Sequence, residues 1–370
     1  MYLAVATLLF VVCRLALQLG HPNPLYLAWQ AFDDNLWIEG WCRWDALWYR
    51  AIAHSGYWFV EGEQSSVAFF PMYPMIVAGL AKLTALRTLR LAVVVTLIAG
   101  LSATVLFDRW CARSLDDRAR TLSTVTLLLY PFSFFLYGAG YSDALFLALA
   151  LGSFVLLEND KPHWAGVIAA LATATRPVGI ALIAGLIIRM VERRGFFEPG
   201  FLLKKVRAKD LGVLLSPLGL IGYSLYLWYS FGDPLAFAQA QSGWGQAPGL
   251  KTWLKFELFD LFFNKPWSLF HLMIFFHAAC TLGAIALIPR VKRRFGWGYA
   301  AYVAVAIVVP ALSSKDFMGL GRYLIAAFPL FAVAGEALAK TPRLRRVVHG
   351  ASAALMIWLT SLFALWEYVS

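Results

Sequence analysis

Charge is what this sequence has least of. Only 14% of its 370 residues are Asp, Glu, Lys or Arg and 61% are hydrophobic, whereas about 25% charge is usual in a soluble domain. A water-soluble core cannot absorb that much apolar surface. The four cysteines, Cys13, Cys42, Cys111 and Cys280, show neither CxxC spacing nor a paired framework, which argues against a zinc ribbon or a disulfide scaffold. The six histidines are scattered, with no HExxH and no pair at helical spacing, so a His-built metal site is not expected. There is no internal repeat, Gly/Ser linker or charge tract, and residues 1–370 read as a single membrane-embedded domain. Residues 2–19 lack both a charged n-region and a small-residue cleavage site, so they read as a first span rather than a signal peptide.

What is present is apolar length. Runs of about 17 to 22 residues match the helix needed to cross about 30 Å of hydrocarbon, and lipid offers no partner to an unpaired amide, so spanning helices are the default. Candidate spans are 2–19, 67–83, 89–107, 121–137, 142–157, 163–175 with 177–189, 211–230, 269–289, 297–312, 322–338 and 347–366. The expected class is an all-α polytopic membrane protein with about ten to twelve transmembrane helices.

The formal charge of +11 does not point to nucleic acid, because no basic and aromatic groove pattern accompanies it. The cations instead cluster between apolar runs: Arg189, Arg193, Arg194, Lys204, Lys205, Arg207 and Lys209; Arg290, Lys292, Arg293 and Arg294; Lys340, Arg343, Arg345 and Arg346. By the positive-inside rule these segments are cytoplasmic, which puts 231–268, 313–322, the C-terminus and the turn at Tyr141-Ser142-Asp143 outside. Starting with residue 1 inside makes 20–66 the first external loop. That count strands Arg109, Arg113, Arg118 and Arg120 outside, unless a re-entrant or interfacial segment lies within 67–107. Asp108, Asp116 and Asp117 make this cluster a weak topological indicator.

The densest polar segment is Trp41-Cys42-Arg43-Trp44-Asp45-Ala46-Leu47-Trp48-Tyr49-Arg50, running on to His54-Ser55-Gly56-Tyr57. As a helix it places Trp41, Trp44, Trp48 and Ile52 on one stripe, as in an interfacial helix. An acid at a membrane boundary beside Arg43 suits a general base. It equally suits an N-cap, and the spacing leaves both readings open for Asp45 and again for Asp143. Arg176, in Thr175-Arg176-Pro177-Val178-Gly179, either snorkels to the interface or binds phosphate. Arg322-Tyr323, with Lys315 nearby, poses the same choice. Gly232-Asp233-Pro234 reads as a turn and helix start with Pro at its first position. Beyond it, Gln241 and Trp244 are suited to hydrogen bonding and ring stacking with a sugar.

Taken together, Arg43-Trp44-Asp45 with His54-Ser55-Gly56-Tyr57, Phe69-Phe70-Pro71-Met72-Tyr73-Pro74, Ala139-Gly140-Tyr141-Ser142-Asp143, Thr175-Arg176-Pro177-Val178-Gly179 and Gly232-Asp233-Pro234-Leu235-Ala236-Phe237 resemble the PIG-V family. That family comprises the second mannosyltransferase of glycosylphosphatidylinositol synthesis and its bacterial relatives. The eukaryotic enzymes carry Ser-Glu in place of Ser142-Asp143 and Arg-Ser-Asn-Gly in place of Arg176-Pro177-Val178-Gly179, departures that suit a bacterial member. The resemblance implies a GT-C-type helical bundle with interfacial helices and a catalytic acid in the first external loop, matched by Asp45. It also implies a polyprenyl-phosphate sugar as donor and inverting chemistry without a metal or other cofactor.

The expectation is therefore a mannosyltransferase acting on a glycolipid acceptor among membrane lipids, with Arg43, His54, Asp143, Arg176, Gln241, Trp244, Lys315, Arg322 and Tyr323 contacting substrate. The expected location is the bacterial cytoplasmic membrane, or the endoplasmic reticulum in a eukaryote. Competing readings are the same chemistry with another sugar, a scaffold subunit, and a lipid-linked sugar transporter. Transporters often carry repeats and broken helices at the midplane; no repeat is evident, and Glu336 alone among the acids falls well inside an expected span.

Overall fold

The computed structural model describes residues 1–24, 34–198, 206–247 and 249–369. Residues 25–33 of the first expected external loop, Pro248 of the second, and Lys204 and Lys205 of the largest basic cluster lie outside the described residues. Among the described residues every regular element is a helix, as apolar length requires where lipid leaves the backbone to satisfy itself.

Each expected span contains a helix, but the helices differ in reach. Tyr2–Leu19, Thr88–Cys111, Leu269–Phe295 and Pro342–Ala364 are long and apolar enough to cross a membrane. Ala208–Leu215 and Leu218–Phe231, bent by 41°, make a fifth if counted as one broken span. The expected count of ten to twelve thus resolves into four or five full-length helices among the described residues, with shorter ones between them. Proline explains part of this. The stretch 121–137 divides into Asp117–Leu128 and a 3-10 helix, Pro131–Leu136, because Pro131 has no N–H to donate and Tyr130 before it is pushed out of the α region. Likewise 322–338 divides into Leu320–Tyr323 and Pro329–Lys340. Met72–Thr84 has 13 residues, about 20 Å at 1.5 Å per residue, short of the roughly 30 Å of hydrocarbon.

The chain forms two compact units. The first comprises Met1–Tyr57, Tyr73–Ala148 and Ala334–Ser370. Its centre is the 3-10 segment Pro131–Leu136, every residue of which is buried. The Tyr2 hydroxyl donates to the carbonyls of Leu97 and Leu136 at 3.0 and 2.7 Å, and the rings of Phe134, Phe135, Tyr141 and Phe363 form a layer with centroids 4.2–5.9 Å apart. Lipid is as apolar as these rings, so this close packing rather than water exclusion holds the helices together. Arg120 meets the Asp108 carboxylate with both Nε and Nη2, at 2.9 and 2.5 Å.

The second unit comprises Trp58–Met72 and Leu149–Val333. Gly179–Arg193 lies directly against Trp297–Ser313, and Gly185 permits the approach: a Cβ there would stand 2.6 Å from that of Tyr302. Phe154 fills the neighbouring space against Tyr299, Tyr302 and Phe328. At one end the largest basic cluster is matched by acids. Arg189 pairs with Glu158 and Glu192 at 2.7 and 2.9 Å, and Arg194 with Asp210 and Asp160 at 2.6 and 3.1 Å. Asp160 also takes Arg207 and Lys209. The Lys209 ammonium bonded to Asp160 holds that carboxyl below its ordinary 3.8.

Candidate active site

In the first unit the helix Asp45–Ser55 begins at Asp45 itself. Trp44 occupies the cap position at φ 50° and ψ −113° and contributes no side-chain cap bond. Asp45 is therefore the first helical residue, and the cap position belongs to the residue before it. A tryptophan there sits in a sparsely populated region, at a cost of order 1–3 kcal/mol. The Asp45 amide, one of the four left over at any helix start, donates to the Tyr141 hydroxyl at 3.1 Å.

The second motif thus locks onto the first. The Gly140 amide donates to the Trp41 carbonyl at 3.2 Å, and at Gly138 a Cβ would lie 2.9 Å from the Trp41 ring. Tyr49, one turn beyond Asp45 and on the same helix face, shares a 2.7 Å hydrogen bond with Ser142. Thr96 donates to the Ala139 carbonyl at 2.9 Å and bonds Tyr73 at 3.0 Å. Asp143 starts the helix Asp143–Glu158 and is 6% exposed, whereas Asp45 is half-buried. No group of three or more His, Cys, Asp or Glu side chains among the described residues could hold a metal ion.

Arg43 and His54 stand apart from this arrangement. Arg43 is 2% exposed; its Nε donates to the Ala364 carbonyl at 3.0 Å, and its Nη1 to Glu39 Oε1 and to the Glu39 carbonyl at 2.8 and 2.7 Å. Its guanidinium also lies over Trp366, 4.6 Å from the ring centroid. That is the environment of a structural staple. His54 is exposed in the last turn of the same helix as Asp45, about 13 Å further along the axis and on the opposite face at 100° per residue.

In the second unit the expected cations converge. Arg176 and Arg322 both lie over the ring of Tyr323, at 5.2 and 5.1 Å from its centroid, so two guanidiniums share one phenol. Arg322 is 6% exposed. Its short helix, Leu320–Tyr323, is fixed by the Gly321 amide, which donates to His277 Nδ1 at 2.8 Å. Arg176 follows the break after Pro162–Thr173, where the Ala174 carbonyl accepts from the Met72 amide at 2.9 Å.

Lys315 belongs to a different neighbourhood, its amine standing 3.1 Å from where a Cβ of Gly245 would be. Gly245 closes the 3-10 helix Ala240–Trp244, which carries Gln241 and packs its Trp244 ring against Phe69 at 6.0 Å. The turn before it differs slightly from expectation: helix starts at Ala236 rather than Pro234, because Asp233 Oδ1 accepts the Leu235 amide at 2.8 Å and holds a side-chain turn. Lys255, unremarked in the sequence, donates to the Ser314 carbonyl. Burial pushes the Lys255 ammonium down and the nearby Asp316 carboxyl up.

Four or five helices of membrane-crossing length among the described residues define a multi-pass membrane protein. The family model described as Mannosyltransferase (PIG-V) matches residues 20–263, more than half of the chain. The chain belongs to the PIG-V mannosyltransferase family. It is 28% identical over 210 residues to GPI alpha-1,6-mannosyltransferase 2 of Cricetulus griseus, covering 52% of this chain and 41% of that protein. To the Homo sapiens protein of the same name it is 28% identical over 230 residues, 59% of this chain and 45% of the other. The chain thus spans less than half the length of these relatives. Over 100% of this chain and 55% of the other, an oligosaccharyltransferase from Archaeoglobus fulgidus superposes with a TM-score of 0.49 at 16% identity.

Proposed function

We propose that this chain transfers mannose from polyprenyl-phosphate mannose to a lipid-linked or glycolipid acceptor at the non-cytoplasmic membrane face, with Asp45 as the general base. The observation that carries this reading is the interlock of two family motifs at Asp45: a strained Trp44 before it and the Tyr141 hydroxyl on its amide fix the start of the helix that bears the carboxylate. The Asp45 carboxylate takes the proton of an acceptor hydroxyl. The hydroxyl oxygen attacks the anomeric carbon from the face opposite the phosphate, the bond from that carbon to the phosphate oxygen breaks, and the polyprenyl phosphate departs with the electron pair. Inversion at the anomeric carbon follows.

Arg176 and Arg322 are assigned to the donor phosphate, which guanidinium groups bind by charge-assisted hydrogen bonds. Lys315, Gln241 and Trp244 are assigned to the sugar and its phosphate, Asp143 and Tyr323 to ordering the site. The location proposed is a bacterial cytoplasmic membrane. The test is transfer of labelled mannose from polyprenyl-phosphate mannose by membranes containing the protein, with chelator present throughout. Transfer is expected from the wild type and not from Asp45→Asn at equal folded amount. Full activity in that variant, or transfer that chelator abolishes, overturns the assignment of Asp45 as an unaided base.

A further inference from the structure

The residues on the N-terminal side of Asp45 are held by a segment that lies about a hundred residues beyond the family match, which stops at residue 263. Trp44 is one of five non-glycine residues with positive φ among the described residues, and Trp366 is another, at φ 68°. The two are in contact: the Trp44 ring meets Trp366 edge-on at 5.7 Å and Tyr368 edge-on at 5.1 Å. Arg43, the next residue back, donates to the Ala364 carbonyl at 3.0 Å and stacks on the Trp366 ring at 4.6 Å.

The segment is itself pinned. The Asn23 amide donates to the Leu365 carbonyl at 2.9 Å and its side chain to Glu367 at 3.2 Å. Trp366 and Val369 are buried, and at Gly40 a Cβ would touch that of Ala364 at 3.3 Å. Left-handed conformations of bulky residues persist only where their surroundings over-determine them, and they gather at functional sites. Here two such residues support each other, and one of them directs the chain into Asp45.

We infer that residues 364–369 form a positioning strap, with Trp366 and Tyr368 as positioning residues that set the direction of the Asp45 carboxylate through the Trp44 backbone. This rests on the reading of Asp45 as the base. Trp44 is the last residue before the helix, and releasing its ring lets it relax toward an ordinary cap conformation, which re-aims the first helical turn. A displacement of about 1 Å of a catalytic group can lower turnover about a hundredfold without altering how substrate is held.

The experiment compares detergent-solubilised full-length wild type with Trp366→Ala, Tyr368→Ala and Trp366→Phe, by hydrogen exchange and by steady-state transfer. In both alanine variants, exchange at the amides of residues 44–47 should rise while peptides from the second unit stay protected. kcat should fall about tenfold to a hundredfold, with KM for the donor unchanged. Trp366→Phe keeps a ring for Trp44 and Arg43 and should recover most of both. Unchanged exchange at 44–47 in both alanine variants overturns the strap, as does a rise in exchange spread evenly over the protein. Should Asp45→Asn retain full activity, the base assignment falls by itself, and the exchange data still decide whether 364–369 orders residues 44–47.

Discussion

The acid turn of the first unit and the cation group of the second are built on different terms. Asp45 is fixed through its backbone: a strained residue before it, a tyrosine hydroxyl on its amide and a glycine-rich turn packed against Trp41. Arg176 and Arg322 both bring their guanidiniums to the Tyr323 ring, Arg322 from the neighbouring position and Arg176 from a distant part of the chain. A group that must remove one proton along one direction gains from a fixed backbone, since alignment is where its contribution comes from. Groups that receive a phosphate gain from long side chains over a ring, because the charge they meet is spread over several oxygens.

If that contrast is right, substitutions in the two regions should separate turnover from affinity. The largest effect expected is that of Asp45→Asn, a fall in kcat of about 10² to 10⁴, the span attributed to general-base catalysis, with donor KM retained. Arg43→Ala, two positions away, should act first on folding. It strands Glu39 in a buried site, and breaking such a pair costs about 3–5 kcal/mol, read as a lowered unfolding midpoint. A normal midpoint with a raised KM would make Arg43 a substrate contact after all. Arg176→Ala and Arg322→Ala should each raise donor KM about tenfold to a hundredfold, from the loss of about 1.5–3 kcal/mol in a hydrogen bond to a charged group. Lysine at either position should recover only part of it, because an ammonium lacks the planar fork and stacks less well on Tyr323. If these variants lose kcat alone, the division of labour fails.

The smallest effect lies away from both clusters. Lys209 lowers the folded pKa of Asp160 below its ordinary value, so the stability this acid contributes is full above the unfolded value and is lost as pH falls through the lowered one. Wild type and Asp160→Asn should therefore differ by a small, constant margin in midpoint near neutral pH and converge in strong acid. A margin that widens on acidification would contradict the pairing.

The existence and class of the helices were legible because apolar length is a local property of the chain. Their lengths were less so. Pro131 cut one expected span, whereas at 211–230 a bend separated two helices that hydropathy had joined. Within the site, residue types were readable and partnerships were not. Asp45 and Asp143 stood out as acids at helix starts, but nothing local to Arg43-Trp44-Asp45 indicates that Trp44 takes the cap position, because the rings holding it come from residues 366 and 368. Arg43 looked like a substrate contact for the same reason: its carbonyl partner, Ala364, is 321 positions away. Tyr49 had a usable signal, its place one turn after Asp45 on the same helix face. The meeting of Arg176 with Tyr323 could not be read from spacing at all.

The ion-paired end of the second unit has a bearing on how the chain reaches its final state. Orientation in a membrane is decided while segments are being inserted, and that decision weighs lysine and arginine while taking little notice of aspartate and glutamate. Arg189, Arg194, Arg207 and Lys209 are therefore visible to the insertion machinery, yet in the finished protein Glu158, Asp160, Glu192 and Asp210 neutralise them. Among the described residues of the cluster, every cation is paired with an acid in the folded protein. Cationic segments that orient a nascent chain would otherwise go on drawing anionic lipid headgroups to its surface.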